Sequence, residues 1–230
     1  MQQSITIKHM SQISYNVDIV MCIDATSSMR PYIDEVKDNA LQFDERLRKA
    51  LAEKEKRIDN LRVRIVIFRD IKNDGLDEAL LESDFIALPA EQDKFKQFID
   101  LIHARGGGEL PENSLEALAA GMNSNWTREG DKQRHLIVMF TDAPAHPLGK
   151  TGSTELPDNI PTSFEGFVDM WEGQVMDDKA KRMLIFAPDE DPWRTIAETC
   201  DEVFWIESKA GKGLSDIHYE EIFKGIVNSV

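Results

Sequence analysis

Short runs of apolar residues alternate along this chain with segments whose apolar residues recur every three or four positions. Residues 17–23 (VDIVMCI) and 135–141 (HLIVMFT) are almost continuously apolar, which is typical of strands buried on both faces of a sheet. Residues 29–50 between them have the spacing of an amphipathic helix. Strands that alternate with helices favour right-handed crossovers. The pattern therefore predicts an α/β fold, with a doubly wound, mostly parallel central sheet and helices on both faces.

The remaining segments follow the same two patterns. Further strands are predicted at residues 61–68, 183–187 and 203–206, with a shorter strand at 83–88 that we expect to be antiparallel and at an edge of the sheet. Further helices are predicted at residues 95–102, 115–122, 164–175, 192–199 and 217–227. No repeat or linker divides the sequence, so we expect one domain over 1–230, with an N-terminal extension at 1–15 and a long loop at 143–163.

The chain is strongly acidic, with 27 Lys and Arg against 42 Asp and Glu and a formal net charge of −15. Such a surface repels phosphate backbones and anionic lipid, so we expect no nucleic acid and no membrane as partner. Metal cations and basic protein surfaces are the expected partners. The two cysteines, Cys22 and Cys200, are expected to be reduced thiols. Because the sequence has neither a signal peptide nor an apolar run near the ~20 residues of a membrane helix, we expect a cytoplasmic location.

Carboxylates and hydroxyls directly follow two of the predicted strands. Asp24, Thr26 and Ser28 form a D-x-T-x-S sequence after the first strand, and Thr141-Asp142 follows the central strand. In a doubly wound sheet, ligands bind at the carboxyl ends of the strands. Carboxylate and hydroxyl oxygens are suited to Mg²⁺, Mn²⁺ or Ca²⁺. In the alternative interpretation, a hydroxyl caps the following helix and Asp24 complements its dipole.

A third polar element is the sequence GGGELPEN at residues 106–113, which precedes the helix predicted at 115–122. Its three glycines allow the backbone to turn tightly and to approach another group closely. Glu109 comes directly after the glycines. We expect it to belong to the same site, although Glu109 or Glu112 could instead cap the helix that follows.

Taken together, these three elements resemble the von Willebrand factor type A domain. They stand in the order of that family, from about residue 17 to the C-terminus. Phe68-Arg69-Asp70 resembles the F/Y-R-D sequence of many intracellular and bacterial members. GGGELPE and FTDAPAHP are similar to segments of a subgroup that includes alpha-kinase-linked and hemicentin-type domains.

The resemblance implies a Rossmann-like sheet with a metal-ion-dependent adhesion site at its carboxyl edge. One divalent cation would bind there, with Mg²⁺ as the expected ion and Mn²⁺ or Ca²⁺ as alternatives. By the family pattern, Thr26 and Ser28 would bind the ion through their hydroxyls, and Asp24 and Asp142 would bind it directly or through water. One position of the ion would stay open for an oxygen of a protein partner.

The sequence departs from the family pattern at the third ligand, where Glu109 stands at a position usually held by a neutral Thr. The charges of Asp24, Asp142 and a dication sum to about zero, so an ionised Glu109 would make the site about −1. We therefore expect Glu109 to hold the metal more tightly and to occupy or block the open position. Partners would then dock through neutral or basic groups.

Three further residues are candidates for contact with a partner: His146, Glu112 and Asp189. His146 belongs to the loop at 143–163, which leaves the same strand end as Asp142 and is expected to overhang the metal. The alternatives are a solvated histidine and carboxylates that cap or support helices.

The resemblance implies a non-enzymatic, metal-dependent protein-interaction module within a multi-protein bacterial stress, defence or signalling system. The alternative is a metal-dependent hydrolase or phosphatase, in which the same cation activates water and Glu109 or His146 acts as the base. A third possibility is a metal-free scaffold, which would not respond to divalent ions. The oligomeric state is left open.

Overall fold

The computed structural model describes residues 14–106, 111–149, 156–173 and 175–230. Within these ranges, seven strands form one sheet. The strands are β1 (Tyr15–Asp24), β2 (Asn60–Phe68), β3 (Leu80–Glu82), β4 (Ile86–Leu88), β5 (Lys132–Phe140), β6 (Lys181–Pro188) and β7 (Val203–Ser208). The predicted N-terminal extension at 1–15 falls almost wholly outside the described residues, and Tyr15 already belongs to β1.

The strand order is β3-β2-β1-β5-β6-β7, and β4 also pairs with β2. The pairs along β2-β1-β5-β6-β7 are parallel, which confirms the doubly wound, mostly parallel sheet. The antiparallel edge strand predicted at 83–88 is found in part, since β4 covers 86–88, and a second short antiparallel strand, β3, precedes the predicted range. They are separate because Ser83 interrupts the ladder: its Oγ, and not a backbone carbonyl, accepts the hydrogen bond of the Ile65 amide at 2.9 Å.

Helices cover both faces of the sheet. They are α1 (Arg30–Asn39), α2 (Phe43–Ala52), α3 (Ile71–Asp74), α4 (Leu76–Ala79), α5 (Gln92–Leu101), α6 (Ser114–Met122), α7 (Phe164–Glu172), α8 (Trp193–Thr199) and α9 (Tyr219–Ser229). The long helix predicted at 29–50 is divided by a 3₁₀ turn at Ala40–Gln42. The short helices α3 and α4 were not predicted, because a four-residue helix is too short to show a periodic pattern.

Two apolar cores lie on opposite faces of the sheet. One includes Phe43, Leu47 and Phe223 from the helices α2 and α9. The other includes Trp171 and Trp193, both fully buried, from α7 and α8. Burial of a large apolar side chain contributes roughly 1.5–3 kcal/mol. The two cores therefore hold the sheet between its two helical layers.

The parallel register brings the carboxyl ends of five strands, β2, β1, β5, β6 and β7, to one edge of the sheet. Asp24 at the end of β1 pairs with Phe68, and Ile23 pairs with Phe140 at the end of β5. Pro188 at the end of β6 pairs with Ser208 at the end of β7. The polar residues that follow these strands are consequently neighbours in space.

The two cysteines match the prediction, and so do the described parts of the long loop. Cys22 and Cys200 are both free and buried. The described parts of the loop at 143–163 contain neither helix nor strand, and α7 begins at Phe164. Among the helices that the structure describes, none is long and apolar enough to cross a membrane.

Candidate metal site

Four of the predicted metal ligands meet at the carboxyl edge of the sheet. Asp24 is fully buried, and its Oδ1 accepts hydrogen bonds from the Thr26 amide at 2.9 Å and from Thr26 Oγ1 at 2.7 Å. Thr26 Oγ1 lies 3.3 Å from Ser28 Oγ, which donates to Asp142 Oδ1 at 2.9 Å. A continuous chain of oxygen atoms therefore joins the end of β1 to the end of β5.

The local backbone explains why these hydroxyls point at carboxylates. Thr26 is extended, with φ −72° and ψ 165°, and a 3₁₀ turn at Ser27–Met29 then leads into α1. Neither Thr26, which precedes the 3₁₀ turn, nor Met29, which precedes α1, caps the helix with its side chain. The alternative interpretation, in which a hydroxyl of the D-x-T-x-S sequence serves as a helix cap, is not what the structure contains.

Thr141 holds the second oxygen of Asp24. Thr141 Oγ1 donates to Asp24 Oδ2 at 2.8 Å and accepts a hydrogen bond from the Ala143 amide at 3.1 Å. Both carboxylate oxygens of Asp24 are thus fixed by hydroxyls, one from each side of the junction between β1 and β5. The sequence places Thr141 directly before Asp142 but does not predict that its hydroxyl binds Asp24.

A glycine turn after β7 binds Asp142 through its backbone. The Gly213 amide donates to Asp142 Oδ2 at 2.6 Å, and the Gly211 amide donates to the carbonyl of Asp142 at 2.8 Å. Gly213 has φ +57°, and a Cβ there would lie 2.1 Å from the carbonyl oxygen of Ser28. The site therefore has a third wall, which the three quoted sequence motifs do not include. The only signal for it in the sequence is a Gly-Lys-Gly turn that follows a strand at this edge.

Arg69 ties together three segments around the site. It is 2% exposed, and its guanidinium donates to the carbonyls of Ala25 (3.1 Å), Glu78 (2.5 Å) and His103 (2.9 Å). Burial lowers the pKa of Arg69. The signal in the sequence is the Phe68-Arg69-Asp70 motif, which marks the residue without indicating what it binds.

Burial also dominates the electrostatics of the carboxylates. It raises the pKa of Asp24 to about 6, the hydrogen bonds from Thr26 and Thr141 oppose the rise, and the charge of Asp142 adds to it. A buried carboxylate with a raised pKa is a group whose charged form a bound cation would stabilise.

Glu112 lies inside this edge and is 2% exposed. Burial, followed by the charges of Asp24, Asp70 and other nearby carboxylates, raises the pKa of Glu112 to about 9. Its Oε2 has no hydrogen-bond partner among the residues that the structure describes. Its backbone pairs with the loop after Asp142, because the Glu112 amide donates to Pro144 and its carbonyl accepts from His146. Glu112 does not cap α6, whose N-cap residue is Asn113.

We expect Glu112→Gln to stabilise the protein by about 3 kcal/mol at most at pH 7. The pKa of Glu112 is about 9 in the folded state against a model value of 4.5, so the folded state binds the extra proton between these values. Stability from this group is therefore present below about pH 4.5 and is lost as the pH rises toward 9. Glutamine stays neutral and removes that loss.

The measurement is urea denaturation of the two proteins at pH 5 and pH 8 with a chelator present. The stability difference should grow with pH. The exposed Glu35 offers a matched control, since Glu35→Gln should change stability by less than about 0.5 kcal/mol at either pH. A Glu112→Gln difference that is the same at both pH values would contradict the assigned pKa.

Neither His146 nor Asp189 belongs to the four-oxygen chain, and each contacts a different residue. His146 is partly buried, and its Nε2 lies 3.7 Å from Oδ1 of the buried Asp70. Asp70 also accepts a hydrogen bond from the Lys72 amide at 2.9 Å and so caps α3. Asp189 is exposed after β6 and forms an ion pair with Arg194 on α8. Glu109 lies outside the described residues.

The oxygens of Asp24, Thr26, Ser28 and Asp142 are ligands that a hard cation prefers, and only two of the four groups are carboxylates. No three His, Cys, Asp or Glu side chains within the described ranges lie close enough to hold one metal ion. The four-oxygen chain instead contributes two carboxylates and two hydroxyls. Mg²⁺ binds oxygens at about 2.1 Å in an octahedron, so adjacent ligand oxygens lie about 3 Å apart. The spacings of 2.7–3.3 Å between successive oxygens of the chain fit that requirement.

No family model matches the chain. Among curated proteins, the alpha-protein kinase vwkA of Dictyostelium discoideum is 25% identical over 130 residues, which is 56% of this chain and 19% of the kinase. The matched segment therefore spans less than a fifth of that protein.

Two solved structures share the fold. The pilus adhesin SpaC of Lactobacillus rhamnosus GG aligns with a TM-score of 0.57 and 11% identity, over 94% of this chain and 31% of the adhesin. Proximal thread matrix protein 1 of the mussel byssus aligns with a TM-score of 0.51 and 11% identity, over 94% of this chain and 48% of that protein. At this level of identity, the similarity shows the fold alone.

Proposed function

We propose that this chain is a von Willebrand factor type A module that binds protein partners through one divalent cation and has no enzymatic activity of its own. The observation that carries the proposal is the oxygen chain from Asp24 through Thr26 and Ser28 to Asp142. Its members come from two separate strand ends, and their carboxylate and hydroxyl oxygens are the ligands that a hard divalent cation prefers.

Asp24, Thr26, Ser28 and Asp142 would hold the ion, with Mg²⁺ as the expected species and Mn²⁺ or Ca²⁺ as alternatives. When bound, the ion would supply an open coordination position for an oxygen of a partner. Ser28 is exposed whereas Asp24 and Asp142 are fully buried, so the accessible side of the site is the Ser28 side. Thr141 and the Gly213 amide would keep the two carboxylates in place.

The comparisons support the fold of the module and do not identify its partner. SpaC is an adhesin, and vwkA is a protein kinase that the chain matches over only part of its length. The resemblance of Phe68-Arg69-Asp70 to intracellular and bacterial members is the basis on which we propose a cytoplasmic, multi-protein bacterial system for the module. The negative charge of Asp70 at this edge, and the ionised Glu109 that the sequence predicts for the site, favour a partner that docks through neutral or basic groups.

Mg²⁺ is expected to stabilise the wild-type protein by about 3 kcal/mol at about 100-fold excess over its Kd. Ser28→Ala should lose most of this stabilisation, because the exposed hydroxyl is a proposed ligand that makes few other contacts. Asp189→Ala, which removes an exposed carboxylate at the same edge, should respond as the wild type does. The measurement is the thermal unfolding midpoint, with and without Mg²⁺.

An unchanged midpoint of the wild type with Mg²⁺, Mn²⁺ and Ca²⁺ would favour the metal-free scaffold. If the ion binds, a capture experiment on native lysate then tests the interaction role: proteins retained by the wild type in Mg²⁺ should be lost in chelator and with Ser28→Ala. Turnover of phosphoesters by the wild type but not by Ser28→Ala would favour the metal-dependent hydrolase over the interaction module.

A further inference from the structure

A polar cavity lies at the amino-terminal edge of the sheet, opposite the candidate metal site. It has a volume of about 650 Å³ and is bounded by the starts of β1 and β5, by the turn after α2 and by the residues before β6. We call it the basic pocket, since five cationic side chains line it on a chain whose net charge is −15. These are Lys56, Arg57, Lys132, Arg134 and Lys179.

The strand register explains how the cations converge. Tyr15 pairs with Lys132 and Val17 pairs with Arg134, so both cations lie at the first residues of the parallel ladder. Side chains alternate along a strand, which places Lys132 and Arg134 on the same face as Leu136, a member of the core beneath α2 and α9. Lys56, in the turn that follows α2, reaches the same corner of the molecule.

The five cations of the basic pocket outnumber the three acidic side chains that line it. Within the part of the chain that the structure describes, no carboxylate forms an ion pair with Lys56, Lys132 or Arg134. Arg134 donates to the Ala180 carbonyl at 3.2 Å, but its Nε is buried and has no acceptor among those residues. Burial lowers the pKa of Lys56, and so do the charges of Arg134, Lys54 and Lys132, which are all cations.

Acidic residues also line the pocket, but two of them are engaged by backbone amides. Asp131 accepts a hydrogen bond from the Ser14 amide at 2.8 Å. Asp177 accepts hydrogen bonds from the amides of Lys179 and Ala180 at 2.9 and 3.1 Å. These carboxylates hold turns together and make no ion pair with the cations around the cavity. Glu55 is exposed.

We propose that the basic pocket binds a small anion that carries several phosphate groups. The planar guanidinium of Arg134 is suited to two-point contact with phosphate, and Arg134 lines the cavity together with Lys56 and Lys132. Charges beyond about 8 Å are screened at physiological salt, so a compact anion meets the local cations and not the acidic surface as a whole. The cavity volume is in the range of small-molecule sites.

The test is calorimetric titration of the full chain with tripolyphosphate at an ionic strength of about 0.15 M, where charges beyond about 8 Å are screened. A chelator is present so that divalent ions play no part. We expect saturable binding that Arg134→Gln weakens about tenfold or more. Lys132→Gln, which changes an exposed side chain, provides a second variant that should also weaken binding. Lys96→Gln is the matched control, because it removes the same charge from α5, where Lys96 is paired with Asp100.

Inorganic phosphate and a nucleoside triphosphate, titrated separately, distinguish a site for bare phosphates from a site for a phosphorylated metabolite. The proposal is overturned if tripolyphosphate does not bind, or if Lys96→Gln weakens binding as much as Arg134→Gln does. It is also overturned if Arg134→Gln lowers stability but leaves affinity unchanged, since the cations would then only complement the carboxyl ends of α2 and α9. Ser28→Ala should bind tripolyphosphate as the wild type does, because its site is at the other edge.

Discussion

Gly213→Ala is expected to destabilise the protein by about 3 kcal/mol or more. Gly213 has φ +57°, and an added Cβ would lie 2.1 Å from the Ser28 carbonyl oxygen and 3.0 Å from its carbon. Both contacts are with backbone, which cannot rotate away as a side chain would. Either the D-x-T-x-S segment or the glycine turn must move, and the hydrogen bond from the Gly213 amide to Asp142 would be disturbed with it.

Gly211 offers a closely matched control two residues away. It has φ +64°, but nothing lies within 4 Å of a Cβ built there. Gly211→Ala should therefore show only the cost of the left-handed backbone, about 1–2 kcal/mol. Urea denaturation followed by circular dichroism measures both variants. Equal losses would mean that the contact with Ser28 does not restrain the turn.

Arg69→Met is expected to cost about 3 kcal/mol or more, because methionine occupies much of the same space without donating any hydrogen bond. The carbonyl of Ala25 would keep a second donor, the Arg105 amide at 3.0 Å. The carbonyls of Glu78 and His103 would lose the guanidinium that now bonds them at 2.5 and 2.9 Å. Since Arg69 links the segment after β1 to two others, the response to Mg²⁺ should weaken as well.

Arg105→Met is the control for this variant. Arg105 belongs to the same region and forms an ion pair with Glu78, but its side chain is 56% exposed. Exposed ion pairs contribute about 0–1 kcal/mol, so the loss should be small. Thermal unfolding of both variants, with and without Mg²⁺, separates the two cases. A loss of similar size in Arg105→Met would show that the region is sensitive to any change of charge.

Much of the fold could be predicted because the buried strands are nearly continuous in apolar residues. In residues 17–23 and 135–141, that continuity requires cover on both faces, and the observed β1 and β5 are indeed buried along most of their lengths. The division between β3 and β4 could not be predicted, because it depends on a side-chain oxygen of Ser83 that replaces a backbone group in the ladder.

Part of the candidate site could also be predicted from the sequence. The meeting of Asp24, Thr26, Ser28 and Asp142 follows from strand ends that a parallel sheet must bring to one edge. The position of Glu112 does not follow in this way. Its burial depends on tertiary packing and is the main cause of its raised pKa, and the charges of Asp24 and Asp70, at the ends of other strands, add to the rise.

By itself, the sequence determined the α/β architecture and the edge at which polar oxygens gather, since hydrophobic periodicity is a local property of each segment. The tertiary structure alone decided which backbone groups surround those oxygens. The amide of Gly213 binds Asp142 across 71 residues of chain, and Arg69 reaches the His103 carbonyl across 34. Such contacts depend on how the crossover segments pack against one another, and no local pattern records that packing.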